Sequence, residues 1–487
     1  MEKSRAILTG PIIGKVTDST ARILVEFNYT GEITCVLTSP QGEKIKVTSK
    51  FRSRKPVVFV FKGLKAKTRY TVSFDPLLDH IPSSFKTLTK GLTAANFRVA
   101  VVSCNDLAVL ESKTEESNLW NDLYQKVTNQ EIDYILHIGD SVYMDSGNID
   151  DDKPYNCCKK ILLVTQKSQW ETKAPELREI IQSEYRRTWG HPSVARVLAN
   201  VPNLTMFDDH EIRDGWGYKA EDYDLTSADN FYGWIAREVY YLYHRQLREN
   251  VNFNNMSSIK EEYYYEILNG VGIVFTDYRG IRTWHRDPND LGTSQLGKAQ
   301  WKFLEELFKK TGKFAELNSV LFVSTFPLVW LSEAPSKTST LRRNQNEPKD
   351  FWGHSYLKEQ ADLLTILREW KFLKEGRELV IICGDIHTGG HTDIYYGKQK
   401  VLQQLTASAI NNTVLPKWEE KISKMTMNNK IDLGNGYTIE HHGWTKNCNY
   451  GLVKVAIKGG KIDVRCNLVE SDVEGHIAEL EEVEYNS

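Results

Sequence analysis

At 487 residues, with 40% apolar and 26% charged side chains, the chain has the makeup of a folded globular protein, which excludes disorder on a large scale. A formal net charge of -2 gives no electrostatic reason to expect nucleic acid or an anionic membrane as the main partner. No apolar run approaches the roughly 18–20 residues of a membrane span, and Met1–Arg5 lacks the apolar core of an export signal, so cytoplasm is the expected compartment unless the natural N-terminus is longer.

Up to about Phe85 the pattern is all-β. Ile12–Val16, Ala21–Phe27, Glu32–Leu37, Lys44–Val47, Val57–Phe61 and Tyr70–Phe74 are short β-branched runs separated by turn residues such as Ser39-Pro40-Gln41-Gly42. Gly63–Tyr70 has the look of the corner before a late strand of a fibronectin III module, with Tyr70 as the corner tyrosine. A small β-sandwich over 1–90 is expected, with Ile81–Thr93 as linker. From Phe97 onward, strands alternate with helical patterns at Glu176–Thr188, Asp229–Glu249, Lys298–Lys310 and Leu357–Lys374, which predicts a layered α/β (α+β) domain over 97–470. Strand-like runs return at Tyr450–Ile457 and Ile462–Leu468, and the acidic tail 471–487 is expected as a solvated helix or a frayed end. The polar inserts Asp145–Lys160 and Ser332–Lys349 are expected as surface loops, the second beside a substrate cleft.

Four apolar runs are each followed at once by polar residues. Val99–Ser103 leads into Cys104, Asp133–Ile138 into Gly139-Asp140-Ser141-Val142-Tyr143, Asn203–Phe207 into Asp208-Asp209-His210-Glu211, and Leu379–Cys383 into Gly384-Asp385-Ile386-His387. Polar groups at the carboxyl ends of strands are how α/β enzymes build sites. Asp140 has two oxygens that can face two cations, although a turn aspartate reads the same way. Tyr143 is a phenolate ligand for an Fe(III)-like cation or a packed aromatic, and Cys104 is a thiolate ligand or an inert buried thiol. Asp209 offers a hard oxygen donor, and His210 is placed to protonate a leaving oxygen. Along an extended segment, Asp385 and His387 are expected to point to the same side. The seven cysteines lack CxxC spacing, so neither a zinc ribbon nor a disulfide framework is expected.

Taken in order, these motifs, with Asp277-Tyr278-Arg279, Leu296–Trp301 and Asn449–Val453, resemble the PhoD-like alkaline phosphatases, a branch of the metallophosphoesterases, over roughly Phe97 to Leu468. The resemblance implies a double β-sandwich flanked by helices, with metals at the strand ends and a small sandwich in front. It implies Fe(III) with Ca2+ or another divalent cation. By position, Cys104 and Tyr143 would bind iron, Asp140 would bridge, Asp209 would bind the second cation, and Asp385 and His387 would complete the cluster. The chain departs from the bacterial members at Met144, where they carry an acid, and Asp208–Trp216 is closer to the eukaryotic-type variant.

The expected activity is therefore hydrolysis of a phosphate ester by attack of metal-bound hydroxide on phosphorus, on monoesters and also on diesters. Asp140 and His210 are the expected catalytic residues, and Arg213 and Arg279 are candidates for steering the anion. The competing expectation is a scaffold on the same fold that binds a phosphorylated ligand without turning it over. The intact set Asp140, Asp209, His210 and His387 argues against it.

Overall fold

Alternation along the central strands decides the layers. In Phe97–Val102, Val99 and Val101 enter one core while Ala100 and Val102 enter another. The same split separates Ile273 and Phe275 from Val274, Leu321 and Val323 from Val320 and Phe322, and Val380 and Ile382 from Leu379 and Ile381. Strands apolar on both faces need cover on both. A computed structural model of the protein meets that need with two sheets packed face to face and helices on the outer faces. It describes all residues except 1–4, 92–95, 146–151, 218, 257–258, 260, 281–293, 331–351, 353–355, 413–429, 459–460, 473 and 486–487.

Among the described residues the first sheet has seven strands. Asn203–Met206, Tyr134–Ile138 and Phe97–Val102 lie side by side and parallel, followed by antiparallel Cys448–Lys458 and Lys461–Ser471. In the second sheet, of eight strands among the described residues, Val271–Phe275, Ser319–Val323, Glu378–Cys383 and Gln399–Thr406 lie side by side in that order and parallel to one another. Parallel pairing places the carboxyl ends of several strands at one edge of each sheet, where the polar motifs begin. Helices Leu119–Thr128, Trp170–Gly190 and Ala228–Tyr240 cover the first sheet, and Gly297–Phe308 and Leu357–Phe372 the second.

The N-terminal region is a sandwich of a three-stranded sheet (Ile7–Val16, Thr20–Phe27, Val57–Lys62) and a four-stranded one (Lys44–Phe51, Gly31–Thr38, Arg69–Asp75, Ser84–Lys86). Its seventh strand, Ser84–Lys86, lies inside the segment expected as a linker, because it pairs in register with Arg69–Thr71. Tyr70 is 1% exposed and its hydroxyl accepts a hydrogen bond from the Lys65 amide at 2.9 Å, the corner expected from Gly63–Tyr70. Tyr70→Phe should cost about 1 kcal/mol, since it leaves that amide without its partner. The check is the urea midpoint of unfolding, which should fall; an unchanged midpoint would show that this bond contributes nothing.

The sandwich is tied firmly to the larger unit. Val16 donates its amide to the Tyr134 hydroxyl at 2.6 Å, Arg22 donates to the Gln246 carbonyl at 2.8 Å, and Glu26 accepts from Arg186 at 2.8 Å and from Tyr243 at 2.5 Å.

Three sequence expectations need correction. The insert Asp145–Lys160 is not loop throughout, because Pro154 starts a helix, Pro154–Val164, which buries Cys158 and Leu162. The pattern over Asp229–Glu249 is helical but interrupted. Ala228–Tyr240 passes into a π-helical turn at Tyr241–Arg245, which inserts a residue so that Tyr241, Leu242, Tyr243 and His244 are all buried. The acidic tail adds strands Ile477–Glu479 and Val483–Glu484 to Lys461–Ser471. Tyr485 anchors it: buried, it donates to the Gln404 carbonyl at 3.0 Å and lies 2.7 Å from His391 Nδ1. The insert Ser332–Lys349 lies outside the described residues. Among the described residues, no helix is long and apolar enough to cross a membrane.

Candidate active site

Each motif leaves its strand through an unusual backbone. Gly139 turns with φ +114°, and a Cβ there would come within 2.6 Å of the Asp208 Cβ, so only glycine lets the two loops approach. Cys104 (φ 53°), Asp140 (53°), Asp385 (68°) and His387 (51°) all lie in the left-handed region. Aspartate and histidine tolerate it better than most residues, but each such position costs about 1–3 kcal/mol unless its surroundings fix it.

Hydrogen bonds between the loops do the fixing. The Cys104 and Asn105 amides donate to the Gly139 and Asp140 carbonyls at 3.4 and 2.9 Å, and the Gly384 amide to the Thr325 carbonyl at 2.8 Å. Glu211, 0% exposed, accepts from the amides of Asp140 (3.1 Å), Ser141 (2.5 Å) and Asp208 (2.7 Å), clamping two loops together. Burial, against those amides, pushes its carboxyl up to about 7.

The result is a cluster with two kinds of donor. Asp140, Asp208, Asp209 and Asp385 bring carboxylate oxygens within 4.8 Å of one another, and Asp140, Asp209 and His210 form a second such group. On the other side, the Cys104 thiol and the Tyr143 hydroxyl lie 3.5 and 3.4 Å from Asp140 Oδ2, and the Tyr143 hydroxyl is 3.4 Å from His387 Nε2. Ser408 donates to the Cys104 sulfur at 3.2 Å and Asn412 to the Tyr143 oxygen at 2.7 Å. Asp140 therefore belongs to both sets, and its Oδ1 accepts from the His210 amide at 3.2 Å.

Charge is unbalanced here. Burial, then the crowding of like charges, pushes Asp385 well above the usual carboxylate range, and burial with Asp209, Asp208 and Glu211 does the same to Asp140 despite His210. Burial raises the Cys104 thiol and the Tyr143 phenol, with nearby acids adding to both. Asp209 is the exception: burial raises it, but Arg279 and His210 hold it below its ordinary value. Burial opposes charge on His210, yet Asp145, Asp209 and Asp140 together keep its imidazole protonated well above its ordinary range. Its Nδ1 lies 2.8 Å from Asp145 Oδ1, and its ring stacks on Tyr143 at 4.1 Å. His387 is pushed down to about 4, by burial first and then by His210, so it presents a neutral ring nitrogen.

These residues fit cations. Buried carboxylates outnumber the cationic side chains among them, and buried Asp209 Oδ1 has no hydrogen-bond partner. Oxygen donors of this kind suit a hard cation, while thiol and imidazole donors suit a transition metal.

All of Cys104, Asp140, Tyr143, Asp209, His210, Asp385 and His387 come together, as does Arg279. The Arg279 guanidinium, 4% exposed, pairs with Asp208 and lies 3.5 Å from Asp209 and 3.9 Å from Asp385. Arg213 does not join them. Its guanidinium pairs with buried Asp222 and bonds the Asp214 carbonyl, so the expectation that it steers substrate is withdrawn. His391 and His441 serve the sheet, on Tyr485 and on Thr392 with the Trp330 carbonyl. Sequence reasoning missed Asp208, Asp145, Glu211 and Asn412 as members of the site. The only signal was the acids at 208, 209 and 211 and an acid one place beyond Met144.

A model of the PhoD-like phosphatase family matches residues 99–466, a span that contains every member of the cluster. No curated protein matches the sequence. Among solved structures, the fold is similar to that of PhoD, with a TM-score of 0.70 at 12% identity over 98% of this chain and 90% of that one. It is also similar to the purple acid phosphatase PPD1 from seeds of yellow lupin (Lupinus luteus), with a TM-score of 0.56 at 11% identity over 97% of this chain and 74% of the other. The chain belongs to the PhoD-like phosphatase family, a family of metal-dependent phosphoesterases.

Proposed function

We propose that the protein hydrolyses phosphomonoesters, with phosphodiesters as a second substrate class, at a centre of Fe(III) and Ca2+ or another divalent cation. The observation that carries this reading is the position of Asp140 between the Cys104–Tyr143–His387 donors and the Asp208–Asp209–Asp385 oxygens. Cys104, Tyr143 and His387 would hold the iron, Asp209 and Asp385 the divalent ion, and Asp140 both. When bound, such ions lower the pKa of coordinated water and neutralise phosphate charge.

The remaining work falls to the chain. Arg279 lies among three of the acids and would offer a positive charge to the ester anion. His210, charged and oriented through Nδ1 by Asp145, holds a proton at Nε2 for the leaving oxygen. Glu211, accepting from three backbone amides, keeps the Asp140 and Asp208 loops at a fixed separation.

The test is hydrolysis of an aryl phosphate monoester and diester, with elemental analysis of the same sample. Monoester turnover should disappear on chelation and return with iron and calcium. Bound metal without cleavage of either ester would favour the binding-scaffold alternative.

A further inference from the structure

Where the sandwich meets the helices there is a cavity of about 300 Å3. Small-molecule sites start near that size, at about 300 Å3, and collect at domain junctions. Its walls come from the turn after Lys44–Phe51, from helices Trp170–Gly190 and Ala228–Tyr240, and from the segment carrying Phe253 and Met256. None of these residues belongs to the acidic cluster.

Leu242, Phe253 and Met256 give it an apolar side, and its polar lining is Gln182 with three cations, Arg54, Lys55 and Arg178, to one acid, Glu238. Two of the three cations are matched within the protein. Arg178 donates to Glu238 at 2.7 Å, and Arg54 pairs with Glu179. Lys55 is different: among the described residues no carboxylate pairs with it, and its ammonium sits 5.0 Å from the centre of the Phe253 ring. A surplus cation above an aromatic ring, beside an apolar wall, defines the occupant. A bare inorganic anion would leave the apolar side uncovered, and a neutral apolar molecule would leave the charge unmatched.

We propose that this cavity binds an organic anion with an apolar body, its negative head on Lys55 and its ring or acyl chain against Phe253, Leu242 and Met256. The site is independent of the phosphoesterase reading and stands or falls without it.

The test uses the full chain and 8-anilinonaphthalene-1-sulfonate, a sulfonate on an aromatic body, followed by fluorescence. Binding should be saturable at one molecule per chain. It should weaken about tenfold or more in Lys55→Glu and in Phe253→Ala, and survive in Lys55→Arg. Lys55 is exposed on a turn, so its substitutions leave the fold intact, which circular dichroism checks. Two results would overturn the proposal: no saturable binding, or equal affinity in Lys55→Glu.

Discussion

Asp140→Asn should lose bound metal and at least about 10³-fold in turnover of an aryl phosphate, on the order of 4 kcal/mol of transition-state stabilisation. Asp140 Oδ2 faces the Cys104 thiol and the Tyr143 hydroxyl, and Oδ1 faces the His210 amide. An asparagine keeps one oxygen for these tasks and turns the other into an NH2 group, which cannot ligate a cation. It also removes one negative charge from a cluster built around a cationic charge. The fold should survive, because asparagine adopts a φ of 53° as readily as aspartate does. Elemental analysis, turnover and circular dichroism on one preparation separate these effects. An Asp140→Asn protein with wild-type turnover would end the assignment of Asp140 as the shared ligand.

His210→Ala should behave differently, keeping metal while turnover falls about 10²–10³-fold, the usual share of a positioned general acid. Each carboxylate of the cluster remains in place in this variant. The loss should depend on the leaving group: small for nitrophenolate, which departs without a proton, and full for an alkyl alcohol, which does not. A uniform loss across leaving groups, with metal lost as well, would make His210 a ligand rather than the acid. Its proximity to Asp140 and Asp209 makes that a meaningful alternative.

The layers were legible because apolar alternation is a local property. Val99–Ser103 and Leu379–Cys383 read as buried strands, and the structure has Phe97–Val102 and Glu378–Cys383 there. The site was legible only as a list of strand ends. That Cys104, Asp140, Asp385 and His387 adopt left-handed backbone could not be read, since nothing in their side chains demands it and tertiary hydrogen bonds impose it. Arg213 shows the opposite failure. It sits four residues after Asp209, yet Asp222, from a later turn of chain, draws its guanidinium into a buried pair. Asp145, Glu211 and Asn412 act through His210, backbone amides and Tyr143, so their role exists only once the loops have met. The tail misled because its acidic composition outweighed a single buried anchor, Tyr485.

The most direct test is a crystal structure of the purified protein with anomalous scattering measured at the iron edge. It should show an iron peak between Cys104, Tyr143 and Asp140, and a second cation on the Asp209 side of the same carboxylate. An active protein with no cation at Asp140, or with its metals bound elsewhere, would contradict the shared centre.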